Sequence, residues 1–502
     1  MLVFFYAFGF SNIMPTLFRT MTGYATINDN DVNFFIDIIG QPYVSSDVEV
    51  RRTYGHDETE DLVFAPEVVL KPGNTSEVSS IMKYCNEKRI PVTPIGARTG
   101  LSGGALSLMG GVGLSMERFN KILFIDEENL QVRVEPGVIT QVLQEEVQKL
   151  GLYYPPDPSS RGSCFIGGNL AENAGGPHAV KYGVTKDFVL NLEVVTATGE
   201  VINTGANTLK NSTGYNLTQL MVGSEGTLGI ITKAVLKLIP KPSMDLLMLV
   251  PFESAEKACE AVAAIFRAGI VPSALEFMER DAIDWTLRFV TDVQLPVEAN
   301  VQAHLLIEVD GNHMEAMMAD CEKISQVVAQ FGAGEILFAD DETQKNQLWK
   351  LRRRVGEAVK SNSVYKEEDT VVPRFALPVL LKGVKDIGAK YGFKSVCYGH
   401  AGDGNLHVNI IKGDLTEEQW NHTLKDAIEE IFSLCVKLNG TLSGEHGIGY
   451  VQKEFMGLVF NTTELALMKG IKEVFDPNSI LNPGKIFPSG EKKMKFSEAK
   501  ML

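Results

Sequence analysis

The sequence is short of the features that mark several common protein classes. Its six cysteines (Cys85, Cys164, Cys259, Cys321, Cys397 and Cys435) are scattered, with no C-x-x-C pair. That excludes a disulfide scaffold and a Cys-type zinc site, and it points to a reducing, cytoplasmic compartment. Basic residues are few: 47 Lys and Arg stand against 63 Asp and Glu, a net charge of −16. A general phosphate-backbone binder needs clustered cations, so no nucleic-acid partner is expected. No stretch offers the roughly twenty apolar residues of a membrane-spanning helix. The apolar start, Met1 to Met21, is broken by Ser11, Asn12 and Pro15 and has no basic residue before Arg19. A secretory signal carries its charge ahead of the apolar run. The segment reads as a mis-assigned start, with Met14 or Met21 as the true one, or as a weak surface anchor at the inner membrane face. Also missing are G-K-[ST] and a G-x-G-x-x-G opening a helix, so neither a P-loop nor a Rossmann site is indicated.

Glycine is present in excess, with 46 residues in a chain of 502, against a typical share of about 7%. A chain this long holds more than one packed core. The spacing predicts a helix over 75–88, with Asn74 or Thr75 as cap and Val78, Ile81, Met82 and Cys85 on one face. A strand-like run at 90–95 opens into a Gly-rich loop, 96–104. Another strand is expected at 131–134, a helix at 140–150, and two strands across the Thr198-Gly199 turn. After Pro240-Lys241-Pro242 the texture changes: strand 246–250 and helix 254–267 are followed by strand 303–309 and helix 313–330. That recurrence reads as a duplicated split-βαβ domain. Helices are expected at 416–438, with Trp420 in its apolar stripe, and at 462–474, before Asp476-Pro477.

The glycines concentrate in three blocks: 96–104, 155–183 and 223–229. The first can form a nest of bare amides for a pyrophosphate. The second, through Ile166-Gly167-Gly168-Asn169-Leu170-Ala171-Glu172-Asn173-Ala174-Gly175-Gly176, has side chains small enough for a large planar ligand to lie against backbone. Two histidine motifs carry the sharper signal. Tyr398-Gly399-His400-Ala401-Gly402-Asp403-Gly404-Asn405-Leu406-His407 sets two imidazoles around a Gly-Asp-Gly turn. Ser443-Gly444-Glu445-His446-Gly447 adds a carboxylate and a third imidazole. Two His and one Glu make a divalent-metal site with open positions, and the remaining His is a natural general base.

From about Tyr54 to Phe487 the chain resembles the FAD-linked oxidase family with the vanillyl-alcohol-oxidase type of FAD domain. Within it the chain is similar to the FAD-linked glycolate oxidase subunit and D-lactate dehydrogenase branch, with D-2-hydroxyglutarate dehydrogenase as a near relative. Carrying motifs are Pro-Ile-Gly-Ala-Arg-Thr-Gly-Leu-Ser-Gly-Gly (94–104), the 166–176 block, Gly-Ser-Glu-Gly-Thr-Leu-Gly (223–229), Gly-His-Ala-Gly-Asp-Gly-Asn-Leu-His (399–407), Ser-Gly-Glu-His-Gly-Ile-Gly (443–449) and Leu-Asn-Pro-Gly-Lys (481–485). The resemblance implies an α+β fold: a two-part FAD-binding domain of the vanillyl-alcohol-oxidase/p-cresol-methylhydroxylase type (26–240) and a ferredoxin-like α+β substrate (cap) domain with the metal site (241–455). A C-terminal helical segment (456–502) would return to the FAD domain, and residues 1–25 are expected to be unstructured or mis-assigned.

It also implies that FAD is held by Pro94, Ile95, Gly96, Ala97, Arg98, Thr99, Gly100, Leu101, Ser102, Gly103, Pro156, Asp157, Gly167, Gly168, Asn169, Asn173, Gly175, Gly176, Gly183, Glu225, Gly226, Ile230, Ile231 and Asn482. Leu101 stands where several relatives attach FAD through a His, so a non-covalent FAD is expected, and His178 is expected to be structural. His400, His407 and Glu445 match metal-ligand positions (Zn or Mn), His446 the catalytic base, and Arg352 and Asn409 substrate-contacting positions. The stretch 365–373 resembles the glycolate/lactate branch in length, which argues against Lys366 as a second carboxylate binder.

The activity so implied is oxidation of a small (R)-2-hydroxy acid, glycolate or D-lactate, to the 2-oxo acid, with D-2-hydroxyglutarate as the alternative substrate. Electrons would pass to a quinone, an electron-transfer flavoprotein or an iron–sulfur partner subunit, since the chain has no Cys cluster of its own. A homodimer is admitted. The rival from another class is a metal-dependent hydrolase, which the same His/Glu set would suit. The long Gly-rich troughs argue against it.

Overall fold

The computed structural model describes residues 23–490; residues 1–22 and 491–502, with the readings made for them, lie outside the described residues. Tyr24 and Ala25, expected in an unstructured start, are packed: the Tyr24 hydroxyl donates to Ser479 O (2.5 Å) and the Ala25 amide to Arg89 O (3.1 Å).

The first part contains two main sheets and a two-stranded antiparallel pair, β7 (Leu152–Tyr153) with β11 (Ile239–Pro240). A small sheet orders β1 (Val44–Ser45), β2 (Val68–Leu70), β4 (Val112–Ser115) and β3 (Val92–Ile95), with β4 parallel to both β2 and β3. The central strands β2 and β4 are buried along their whole length because both faces are covered. Helix α1 (Thr75–Lys88) packs here through Val78, Ile81, Met82 and Cys85, all fully buried; the Asn74 side chain accepts from the Glu77 amide and the helix ends at Arg89, φ +56°. The second sheet is antiparallel, β5 (Ile122–Asp126), β6 (Gln131–Val134), β10 (Ile230–Lys237), β8 (Val189–Val195) and β9 (Val201–Asn203) in spatial order. The expected turn at Thr198-Gly199 joins β8 to β9.

The second part is built on a seven-stranded antiparallel sheet. Its spatial order is β15 (Leu337–Phe338), β12 (Met244–Phe252), β14 (Ala303–Gly311), β13 (Ala274–Glu279), β17 (Lys394–Gly399), β18 (Asn405–Ile411) and β16 (Tyr365–Val371). The duplication is present but its unit differs from expectation. The two strand–helix pairs at 246–267 and 303–330 belong to one ferredoxin-like unit, whose strands lie in the order fourth, first, third, second. The second unit spans β16, β17 and β18 with helices Leu377–Tyr391 and Leu424–Lys437, and repeats the first three strands without the fourth. The period read from sequence was half of one unit, because each unit itself contains two similar strand–helix steps.

Helices Ala255–Arg267, Met314–Ala329, Leu377–Tyr391 and Leu424–Lys437 cover one face of this sheet. The helix expected at 416–438 begins with a π turn, Gln419–Thr423, where the buried Trp420 enters the core and its carbonyl accepts from Lys366 Nζ (3.4 Å). The pleat then sorts β18: Leu406, Val408 and Ile410 enter the helix-covered core, so His407 and Asn409 face the other way, toward the first part. The C-terminal segment returns to the first part, where Leu481 pairs with Val92 and Val92 donates to Ile480 O (2.8 Å).

Candidate active site

Between the two parts lies a cavity of about 650 Å³. Three glycine blocks form one side of it. β3 delivers the 94–101 loop, helix α2 (Ile166–Glu172) presents Gly167, Gly168 and Asn169, the turn before β10 presents Glu225 and Gly226, and the start of β10 presents Ile230 and Ile231. A Cβ built on Gly100 or Gly168 meets nothing within 4 Å, so both would project into the cavity rather than into protein. Among the described residues, the amides of Ala97 to Leu101 find no protein acceptor. A loop of bare amides over a flat, small-residue floor fits a pyrophosphate joined to a planar ring system, and Leu101 lines it without a nucleophile to bond such a ring.

Not every residue matched to FAD reaches this cavity. Ser102 and Gly103 pass behind it, where the Gly103 amide donates to Thr59 Oγ1 (2.6 Å). The Pro156 carbonyl accepts from Gln144 Nε2 (3.0 Å), and Asp157 is buried against His178. Asn173 caps α2 in the left-handed conformation and takes the Lys186 amide (2.9 Å). Gly175 lies against Glu445, Gly176 against the Asp157 backbone and Gly183 against Asp187. Asn482 bridges two cavity loops from behind, its Nδ2 donating to Gly104 O (3.0 Å) and Glu225 O (2.8 Å). These residues shape the wall rather than form it.

The histidine motifs converge at the far end. Register places Tyr398 and Asp369 on either side of His407, and Val396 and Glu367 on either side of Asn409. His400 follows β17. Its Nδ1 lies 2.9 Å from both oxygens of Glu276, and its Nε2 is 3.0 Å from Glu445 Oε1. His407 Nε2 is 3.6 Å from that same oxygen, and the ligand atoms of His400, His407 and Glu445 all lie within 4.8 Å of one another. The His446 ring stacks on His407 at 5.1 Å and 15°, and Glu367, His407, Glu445 and His446 line the cavity. His400 sits just behind them, and so does Asn409, whose Nδ2 donates to Val396 O (3.3 Å).

Charge is concentrated here. Burial opposes ionisation of Glu445, yet His400, with His407 and His446, outweighs it and holds the carboxyl at about 2. Burial also opposes charge on His400, but Glu276 and Glu445 on either side raise it well above the ordinary value. His407 is pushed down to about 3 by burial and by the His446 charge. The set suits a divalent cation, which would replace the proton shared by His400 and Glu445; Glu276 behind the distal nitrogen then fixes the tautomer, as outer carboxylates do around ligating imidazoles.

Four residues that contact this cluster were not anticipated from sequence. Glu276, fully buried, holds His400 and also pairs with Arg352 Nη2 (2.7 Å). Asp369 Oδ2 accepts from Ser443 Oγ (2.7 Å) and from the amides of Gly444, Glu445 and His446 (2.8, 2.8 and 2.9 Å), which sets the turn carrying Glu445 and His446. Glu367 lies 3.4 Å from His407 Nδ1, and Tyr398 lies under Arg352 at 5.0 Å. An acid flanked on both sides by apolar residues, as in Ala274-Leu275-Glu276-Phe277-Met278, was the one readable signal, since buried carboxylates are nearly always paired. Arg352 is the buried member of its Arg triplet, whereas Arg353 lies over Trp349 (4.8 Å) and Arg354 pairs with Glu357 (2.7 Å).

Residues 66–205 match the description "FAD binding domain" and residues 241–486 match "FAD linked oxidases, C-terminal domain". The D-lactate dehydrogenase of Anaerostipes hadrus is 41% identical over 87% of this chain and 93% of its own. The chain belongs to the FAD-linked oxidase family. Glycolate oxidase subunit GlcD of Bacillus subtilis (strain 168) is 39% identical over 89% of this FAD-linked oxidase and 94% of its own length. Among solved structures, p-cresol methylhydroxylase with substrate bound aligns at a TM-score of 0.73, with 19% identity, over 92% of this chain and 97% of its own, which places the fold in that FAD-binding type. The enzyme is therefore a flavoprotein oxidoreductase, with its FAD-binding domain and the His/Glu cluster opening on one cavity. Among the described residues no helix is long and apolar enough to cross a membrane.

Proposed function

We propose that this enzyme oxidises a small (R)-2-hydroxy acid, D-lactate or glycolate, to the corresponding 2-oxo acid. The observation that carries the reading is the convergence of His400, His407, Glu445 and His446 at the end of the same cavity whose other side is the glycine trough. The names of the two relatives, D-lactate dehydrogenase and a glycolate oxidase subunit, support the substrate class.

FAD held in the trough would supply the acceptor for the electron pair of C2, and His400, His407 and Glu445 would hold a divalent cation (Zn or Mn) that supplies positive charge beside the substrate. The protein's own residues do the rest. His446 takes the hydroxyl proton on its ring nitrogen as the C2 carbonyl forms. The Arg352 guanidinium, whose Nε has no partner, is the cation for the carboxylate, a planar fork that Lys does not reproduce. Glu367, a carboxylate at this end of the cavity, disfavours a second acidic group on the substrate. That favours D-lactate or glycolate over D-2-hydroxyglutarate. The acceptor beyond the flavin would be a quinone, an electron-transfer flavoprotein or an iron–sulfur partner subunit, and the glycine trough beside the His/Glu cluster favours this activity over that of a hydrolase.

The test is His446→Ala. The variant should retain FAD but lose reduction of that FAD by substrate by about a hundredfold or more. Stopped-flow absorbance measures it, and reduction at the normal rate would remove His446 from the role of base.

A further inference from the structure

His178 stands apart from the site, at the N-terminal end of the short helix Ala179–Tyr182 and almost wholly inside the protein. Its Nδ1 lies 2.9 Å from Asp157 Oδ2 and its Nε2 3.0 Å from Glu308 Oε1. Asp157 and His178 belong to the first part; Glu308 is on β14 of the second. Glu308 also accepts from Ser273 Oγ (2.8 Å) and from Trp349 Nε1 (3.0 Å). Trp349 is in the helix Glu342–Arg353, which ends on Arg352 and Arg353, and Arg353 returns to within 3.8 Å of Asp157. The contacts close a ring across the junction of the two parts: His178, Glu308, Trp349, Arg353, Asp157 and back to His178.

A neutral imidazole has one N–H and one lone pair. Here Nε2 makes a hydrogen bond with Glu308, while Nδ1 lies 2.9 Å from Asp157 Oδ2 in a close contact that is not aligned as a hydrogen bond. With a carboxylate oxygen within 3.0 Å of each ring nitrogen, the imidazolium is the form that both neighbours favour. We propose that His178 is a positively charged clamp that joins the two parts and, through Glu308 and Trp349, positions the helix that brings Arg352 and Arg353 to the cavity. Around it stand Asp157, Glu308, Arg161 and Arg353, with the Tyr153 and Trp349 rings alongside. Burial works against the charge, but Asp157 and Glu308 outweigh it and hold the imidazole well above its ordinary range, while both carboxyls are held below theirs. His178 is thus a positioning residue; its effect on substrate rests on the reading of Arg352 as the carboxylate partner.

NMR of the FAD-loaded enzyme with isotope-labelled histidine tests the charge directly. The His178 resonance is assigned by its loss in His178→Gln or its shift in Glu308→Gln. Both ring nitrogens should be protonated at about pH 8, well above the usual histidine value of about 6.5; a neutral tautomer would overturn the clamp. Kinetics test the positioning: His178→Gln should raise KM about tenfold and leave kcat within about threefold, the pattern of lost binding rather than lost chemistry. An unchanged KM in a folded variant would overturn it. The NMR measurement needs no substrate, so it decides the clamp even where no 2-hydroxy acid reduces the flavin, an outcome that would remove the functional reading instead.

Discussion

Asp369 shows how much a single carboxylate can organise. Three successive amides and a serine hydroxyl donate to its Oδ2, and Asn405 Nδ2 donates to Oδ1 at 2.6 Å. Burial opposes its charge, but His446, His407 and these amides overcome it and hold the carboxyl far below the usual range. Because the folded value is depressed, its stabilisation is present above the unfolded value of about 3.9 and is lost as pH falls below that. Asp369→Asn turns an amino group toward donors and leaves them without an anion. It should cost about 2–4 kcal/mol in urea unfolding at neutral pH, with the deficit shrinking in acid. It should also release metal from the protein, because the turn carrying Glu445 loses its anchor. A variant as stable as the parent at neutral pH would remove Asp369 from this role.

At the level of elements, the turn between β17 and β18 sets the spacing of His400 and His407. Gly404 there has φ +78°, and a Cβ on it would lie 1.9 Å from the Val372 carbonyl oxygen. No side chain has to yield; the neighbour is backbone. Gly404→Ala should therefore cost about 2 kcal/mol or more and lower the affinity for Zn or Mn, measured by chemical denaturation and by metal titration. Much of this part was legible in the sequence. The Gly-Asp-Gly turn excluded a long helix between the two histidines and brought them together; the pleat of β18, which sends Leu406, Val408 and Ile410 to the core and His407 and Asn409 to the opposite face, emerged only with the structure. The acids that hold the cluster were not legible. Glu276 and Asp369 lie far from the histidines in sequence and meet them only through sheet order, with β13 beside β17 and β16 beside β18. The glycine blocks were legible as a trough but not residue by residue. Asp157 and Asn482 look like ligands in the motif, yet their side chains are used by His178 and by the loop carbonyls.

At the scale of the whole molecule, the chain carries a net charge of −16 and is proposed to act on an anion. Its overall field does not draw such a substrate in; on the proposed function, attraction would be local, from Arg352 and a cation held at the His/Glu cluster, against the field of the surface. The two parts matter together because neither holds the chemistry alone: the trough comes from the first and the His/Glu cluster from the second. The most direct test of that joint site is anaerobic addition of D-lactate, glycolate or D-2-hydroxyglutarate to the FAD-loaded, metal-loaded protein while the visible flavin absorbance is followed. D-lactate or glycolate should bleach the flavin completely, L-lactate should not, and D-2-hydroxyglutarate should be the weakest of the three. A flavin that none of the three acids bleaches would contradict the account.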